Sequence, residues 1–182
     1  MKVWKLYCDK LGSGLELSSF EKAHLNRFKA RFDLAKKFEK LELSNTSRKT
    51  ANGYSSILSV FLAYNAAEKL GKSNSFKIIN DWEMTDRKLS RALRLMLVKL
   101  NEVSDEFLDN PFAIKQLDTF MKGENDNLRI PATVIRHGFA HGSLTPNIMK
   151  ATTQKNQKSL FELSKSLLDE SERLFSNWVN SL

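Results

Sequence analysis

The sequence predicts an all-α fold, and three observations carry that expectation. Only 7 Gly and 3 Pro occur in 182 residues, too few to supply the turns of a hairpin-rich fold. Apolar residues recur every three or four positions through several long stretches, the period of a buried helical stripe. The three prolines stand at the boundaries of those stretches, where a missing N–H and a fixed φ do no harm to a helix. Hydrophobic residues at 41% and charged residues at 27% are the balance of a folded chain, and 182 residues suffice for one self-supporting domain, 1–182.

Residues 1–17 mix Val3, Trp4, Leu6 and Tyr7 with lysines and a Gly12-Ser13-Gly14 break, and they are expected to form an extended arm. Ser18 and Glu21 have the spacing of a capping box, so a helix should start there, with Phe28, Phe32, Ala35 and Phe38 facing inward. After the polar Ser44–Ser47 break, Tyr54, Ile57, Leu58, Phe61 and Leu62 mark a second helix that Gly71 should end in the left-handed conformation. Residues 72–84 carry no clean period and read as a packed connection with at most a short helix.

Leu89, Leu93, Met96, Leu100, Val103 and Phe107 form the seam of a long helix, with Arg87, Lys88, Arg91 and Arg94 outward and Glu102, Asp105, Glu106 and Asp109 further on. Asn110-Pro111 opens a shorter helix through Phe112, Ile114, Leu117, Phe120 and Met121, which Gly123 ends. A polar loop, 124–127, leads to a helix with Pro131 in its first turn. From about Thr153 a last helix carries Leu160, Leu163, Leu167, Ser171, Leu174 and Trp178, broadened by Phe161, Leu168 and Phe175.

Cys8 is the single cysteine, which excludes an intrachain disulfide, and no apolar run reaches the length that spans a bilayer. A cytoplasmic location is expected, with no membrane contact. A net charge of +8 and a pI near 9.6 favour anionic partners, RNA foremost.

The stretch that carries chemistry is Arg136-His137-Gly138-Phe139-Ala140-His141-Gly142. On a regular helix Arg136 and His141 point about 140° apart. Gly142, however, suits the position just past a helix end, where a histidine of the last turn can lean off the axis toward the guanidinium. The negative end of the helix dipole favours a protonated imidazole, so His141 is expected to titrate near neutrality. Arginine and a titrating histidine together suffice for RNA cleavage by the 2'-hydroxyl, one stabilising the phosphorane and the other moving protons.

This stretch resembles the R-x4-6-H signature of the HEPN superfamily, with His137 at the polar position that follows the arginine. The resemblance implies an up-and-down bundle of about five to six helices that forms a homodimer across a shared cleft. In many members the activity is a metal-independent endoribonuclease, in toxin-antitoxin or defence systems. By that pattern Arg136 and His141 are catalytic, and His137 orients the site or contacts phosphate. Members paired with a nucleotidyltransferase antitoxin often carry a tyrosine two residues past the histidine; here Ser143 stands there, which counts against that antitoxin partner.

Other readings of the same residues remain open. His137 and His141 have the i, i+4 spacing of zinc ligands, but no acidic residue lies between them, and Cys8, His24 or a distant carboxylate would have to complete the set; no metal or cofactor is expected. Arg136 would also be explained by a carboxylate partner near Asp105 or Glu106. His24 reads as a surface or boundary residue, and Trp4, Trp82 and Trp178 as core or interface anchors. The alternative to an enzyme is a helical module that binds RNA or protein without chemistry, through Arg87, Arg91, Arg94 and Arg129.

Overall fold

The Glu21 backbone N–H donates to Ser18 Oγ at 3.2 Å while Glu21 Oε2 accepts from the Ser18 N–H at 3.3 Å, so both halves of the expected capping box are in place. The computed structural model describes residues 1, 3–73, 87–102 and 111–182, with 99–102 and 111–113 described as backbone only. Its helices are α1 (Val3–Gly12), α2 (Ser19–Lys37), α3 (Arg48–Gly71), α4 (Arg87–Glu102), α5 (Pro111–Lys122), α6 (Arg129–Ala140) and α7 (Gln154–Ser181). Among the described residues there is no β-strand, and no helix is long and apolar enough to cross a membrane.

Seven helices lie among the described residues, and one of them, α1, stands where no helix was expected. Residues 3–12 are therefore helical and not part of an extended arm. Trp4, Tyr7 and Leu11 fall on one face of α1; the Trp4 ring stacks on Phe175 at 5.6 Å, and Tyr7 lies 5.7 Å edge-on to Phe175 and 5.9 Å from Trp178. A ten-residue helix is marginal by itself, and this one is held by the far end of α7. Tyr7 is buried with its hydroxyl unpartnered, and that burial, reinforced by Cys8 and Glu21, pushes its pKa up to about 12.

The core forms where α3 is enclosed by α2, α6 and α7. Because three neighbours surround it, its most buried positions are largely small: Gly53, Ser56, Ser59, Ala63, Ala66 and Ala67, with Ile57, Val60 and Leu70 between them. Of the stripe expected from sequence, Ile57 is fully buried, whereas Tyr54, Leu58, Phe61 and Leu62 are half-buried at the margins. Small residues let α7 come close enough for Ser164 Oγ to donate to the Ser59 carbonyl at 3.0 Å. Gly53 meets the 146–151 connection, where a Cβ would lie 2.7 Å from Pro146 Cβ and 3.0 Å from the Ala151 carbonyl oxygen.

Gly71 ends α3 without turning left-handed; the chain leaves through Lys72 in an ordinary right-handed conformation. On α2, Phe28 and Phe32 are fully buried and Ala35 nearly so, while Phe38 is the half-buried C-cap. On α4, Leu89, Leu93 and Met96 are buried as expected. The expectations for the 72–84 connection from 74 onward, and for Trp82, Val103, Asp105, Glu106, Phe107, Asp109 and Asn110, lie outside the described residues.

Thr153 caps α7 by accepting from the Asn156 N–H at 3.3 Å, and Leu160, Leu163, Leu167, Leu168, Ser171, Phe175 and Val179 form its inner face. Phe161, expected to broaden that face, is instead exposed, because α7 turns it away from α3 and α4.

Candidate functional site

The site is built on α6. Asn125 Oδ1 accepts from the Asn127 N–H at 2.8 Å, and Asn127 Oδ1 accepts from the Arg129 N–H at 2.8 Å, so two successive Asx turns start the helix without a side-chain cap on Leu128. Pro131 sits in the first turn, where its lack of an N–H costs nothing. Ile130, Ala132, Val134, Ile135 and Gly138 are buried, and Thr133 Oγ1 lies 3.3 Å from the Tyr64 hydroxyl, so α6 is held against α3 along its length. At its end the Phe139 ring packs at 5.4 Å on Phe61 of α3.

The helix stops where expected. The His141 N–H makes the last helical bond, to the His137 carbonyl at 3.0 Å, and Gly142 adopts φ +71°, which its missing Cβ permits. The chain then doubles back, Leu144 donating its N–H to the Gly138 carbonyl at 2.9 Å and burying its side chain over Gly138.

This geometry brings the three motif side chains into one row. Arg136 Nη1 lies 3.4 Å from His137 Nε2; since a guanidinium only donates, Nε2 takes the acceptor role in this contact. The His137 and His141 rings lie parallel, 10° apart, with centroids separated by 6.0 Å. Arg136 and His137 are half-buried and His141 is exposed, so the row runs from the flank of the bundle outward to solvent. Arg136 Nε is buried without a hydrogen-bond partner. His137 is the link between Arg136 and His141, meeting the guanidinium on one side and the second imidazole on the other.

The expected arginine track is only partly present. Arg87 and Arg91 are exposed on α4, but Arg94 is not an outward residue. Its guanidinium pairs with Asp126, its Nε donates to the Phe120 carbonyl at 2.6 Å, and it lies 5.1 Å over the Phe120 ring. Ser90 donates to the same Asp126 carboxylate, so Arg94 clasps α4 to the α5–α6 loop. Arg129, half-buried, opens α6.

His24 is also not a surface residue. It is buried on α2 beside Phe20, with ring centroids 4.3 Å apart, and its Nδ1 has no hydrogen-bond partner. Burial pushes its pKa below the ordinary value, and Lys69, Arg27 and Lys72 push it further in the same direction. Among the described residues no group of three His, Cys, Asp or Glu gathers, so neither Cys8 nor His24 joins the histidine pair.

Sequence reasoning missed three contributors: Asp126, Phe61 and Leu144. Each acts through a fold-dependent contact or a chain reversal that no local period announces. No family model, curated protein or solved structure matches the chain.

Proposed function

We propose that the protein is a cytoplasmic, metal-independent endoribonuclease of HEPN type, with Arg136, His137 and His141 as its working residues. The observation that carries this reading is the row of guanidinium, imidazole and imidazole at the solvent-facing end of α6. The RNA supplies its own nucleophile. As the 2'-oxygen forms its bond to the adjacent phosphorus, the bond to the 5'-oxygen breaks, leaving a 2',3'-cyclic phosphate and a 5'-hydroxyl. His141 takes the proton from the 2'-hydroxyl and, with His137 beside it, supplies one to the leaving oxygen, so no external reactant is consumed. Arg136 donates to the phosphoryl oxygens as charge builds on the phosphorane.

The test is cleavage of end-labelled single-stranded RNA in excess EDTA. Wild type should yield cyclic phosphate ends; His141→Ala should lose about 10²–10⁴-fold in rate, the range for a positioned proton carrier, and Arg136→Ala about 10²–10³-fold, the range for a donor to transition-state charge. Cleavage undiminished by His141→Ala would overturn the assignment. The resemblance also implies a homodimer, which sedimentation at micromolar concentration should detect. Wild type that binds RNA and cleaves none would favour the non-catalytic module instead.

A further inference from the structure

A second cluster of charged side chains lies between α2 and α3, apart from the α6 motif. His24, Arg27 and Arg31 follow one another at three- and four-residue spacing along α2, and Asn65, Lys69 and Lys72 do the same along α3. The two stripes meet where Arg31 Nη1 donates to the Asn65 carbonyl at 3.5 Å, and they run antiparallel, so that Lys69 and Lys72 stand opposite Arg27 and His24.

Charge along this seam is unbalanced. Among the described residues the carboxylate acting on Lys69 is Glu68, and it pairs with Lys72 at 3.2 Å. Burial lowers the Lys69 pKa, and Lys72, Arg31 and Arg27 lower it further, as expected for like charges held together. The other edge of α2 is built differently: there Lys36 faces Glu172 at 3.4 Å and Asp169 at 3.8 Å. The α2–α3 edge thus concentrates exposed and half-buried positive charge beside a buried imidazole, and that excess suits an external anion.

Two neighbours narrow the anion. Phe20, 56% exposed, lies against His24 at one end of the seam and offers a free aromatic face beside the cations. An aromatic platform next to phosphate-binding groups suits unstacked bases, and neither a duplex nor an acidic peptide makes use of it. At the other end, Asn65 Nδ2 donates to the Phe61 carbonyl at 2.8 Å, and Phe61 packs on Phe139 between the two motif histidines. From Phe61 to Lys72, α3 rises about 16 Å.

We propose that the seam formed by Arg27, Arg31, Lys69 and Lys72 around His24 binds the phosphate backbone of single-stranded RNA and leads it toward the α6 motif. The destination rests on the nuclease reading above; the binding does not.

The experiment measures fluorescence anisotropy of a labelled single-stranded RNA across a KCl series, using His141→Ala protein so that the RNA stays intact. Adding Arg27→Gln, Lys69→Gln and Lys72→Gln together should weaken binding at least tenfold at low salt. It should also flatten the slope of log affinity against log salt by about two, since each phosphate contact on a single strand contributes about 0.7. Phe20→Ala should weaken it by about fivefold or more. Circular dichroism should find the triple variant folded, because the change relieves repulsion.

Unchanged affinity and slope in the triple variant would overturn the seam. Poly-glutamate competing as well as RNA, with Phe20→Ala silent, would overturn RNA in favour of an acidic protein. Wild type that binds through the seam and never cleaves would sink the nuclease and leave the seam. Cleavage by a triple variant that also binds like wild type would do the reverse.

Discussion

His24 shows how much one side chain's setting depends on the fold. Its depressed pKa means that the folded chain prefers the neutral ring while the unfolded chain binds a proton more readily, so stability must change with pH. Above the ordinary histidine value of 6.5 both states are neutral and His24 adds no slope; as pH falls below 6.5 toward the lowered value, stability is lost. The groups opposing the proton are Arg27 on the same helix and Lys69 and Lys72 across the seam. The difference in unfolding free energy between wild type and His24→Gln, from urea titrations at successive pH values, should therefore shrink on acidification, by at most about 1.4 kcal/mol per pH unit. A difference that stays flat from pH 7.5 to 5 would show that the ring protonates freely. Nothing in Phe20-Glu21-Lys22-Ala23-His24 signals this setting, because two of the three cations, Lys69 and Lys72, come from α3. Arg94 was misread for the same reason: its carboxylate, Asp126, is 32 residues away.

Among the elements, the ends of helices were the most legible features and their faces the least. Ser18, Thr153, Gly123 and Gly142 act within a few residues of themselves, so their chemistry can be read locally. The α1 helix was hidden because its stabilising rings, Phe175 and Trp178, sit at the far end of α7. The motif helix lies between these cases: its end was foreseen, but the part of His137 as the link between Arg136 and His141 depends on how the chain reverses after Gly142. Gly142→Ala tests that reversal. A Cβ there has open space, so the penalty is purely the left-handed backbone, about 1 kcal/mol in the unfolding free energy from urea titration. A neutral substitution would show that the turn holds His141 by other means.

On the scale of the whole molecule, the all-α class was legible because composition and period agree through the long stretches, but the packing around α3 was not. Large apolar residues drew the expected stripe, whereas the most enclosed side of α3 is lined by serine, alanine and glycine, which hydropathy alone ranks low. Gly53 marks the tightest approach, since α3 there touches the connection that follows the candidate site. Gly53→Ala should cost about 1–3 kcal/mol by overpacking, despite alanine's better helix propensity, and thermal denaturation should report it. A stabilised variant would mean that Pro146 yields readily.

The connection beyond Pro146 is also pinned from α7, where Gln157 Nε2 donates to the Ala151 carbonyl at 2.8 Å. The most extensive packing partner of α3 is thus α7, which is made after every other described helix. Until α7 emerges, the side of α3 that it covers stays open, and the growing polypeptide is a natural client for a holding chaperone.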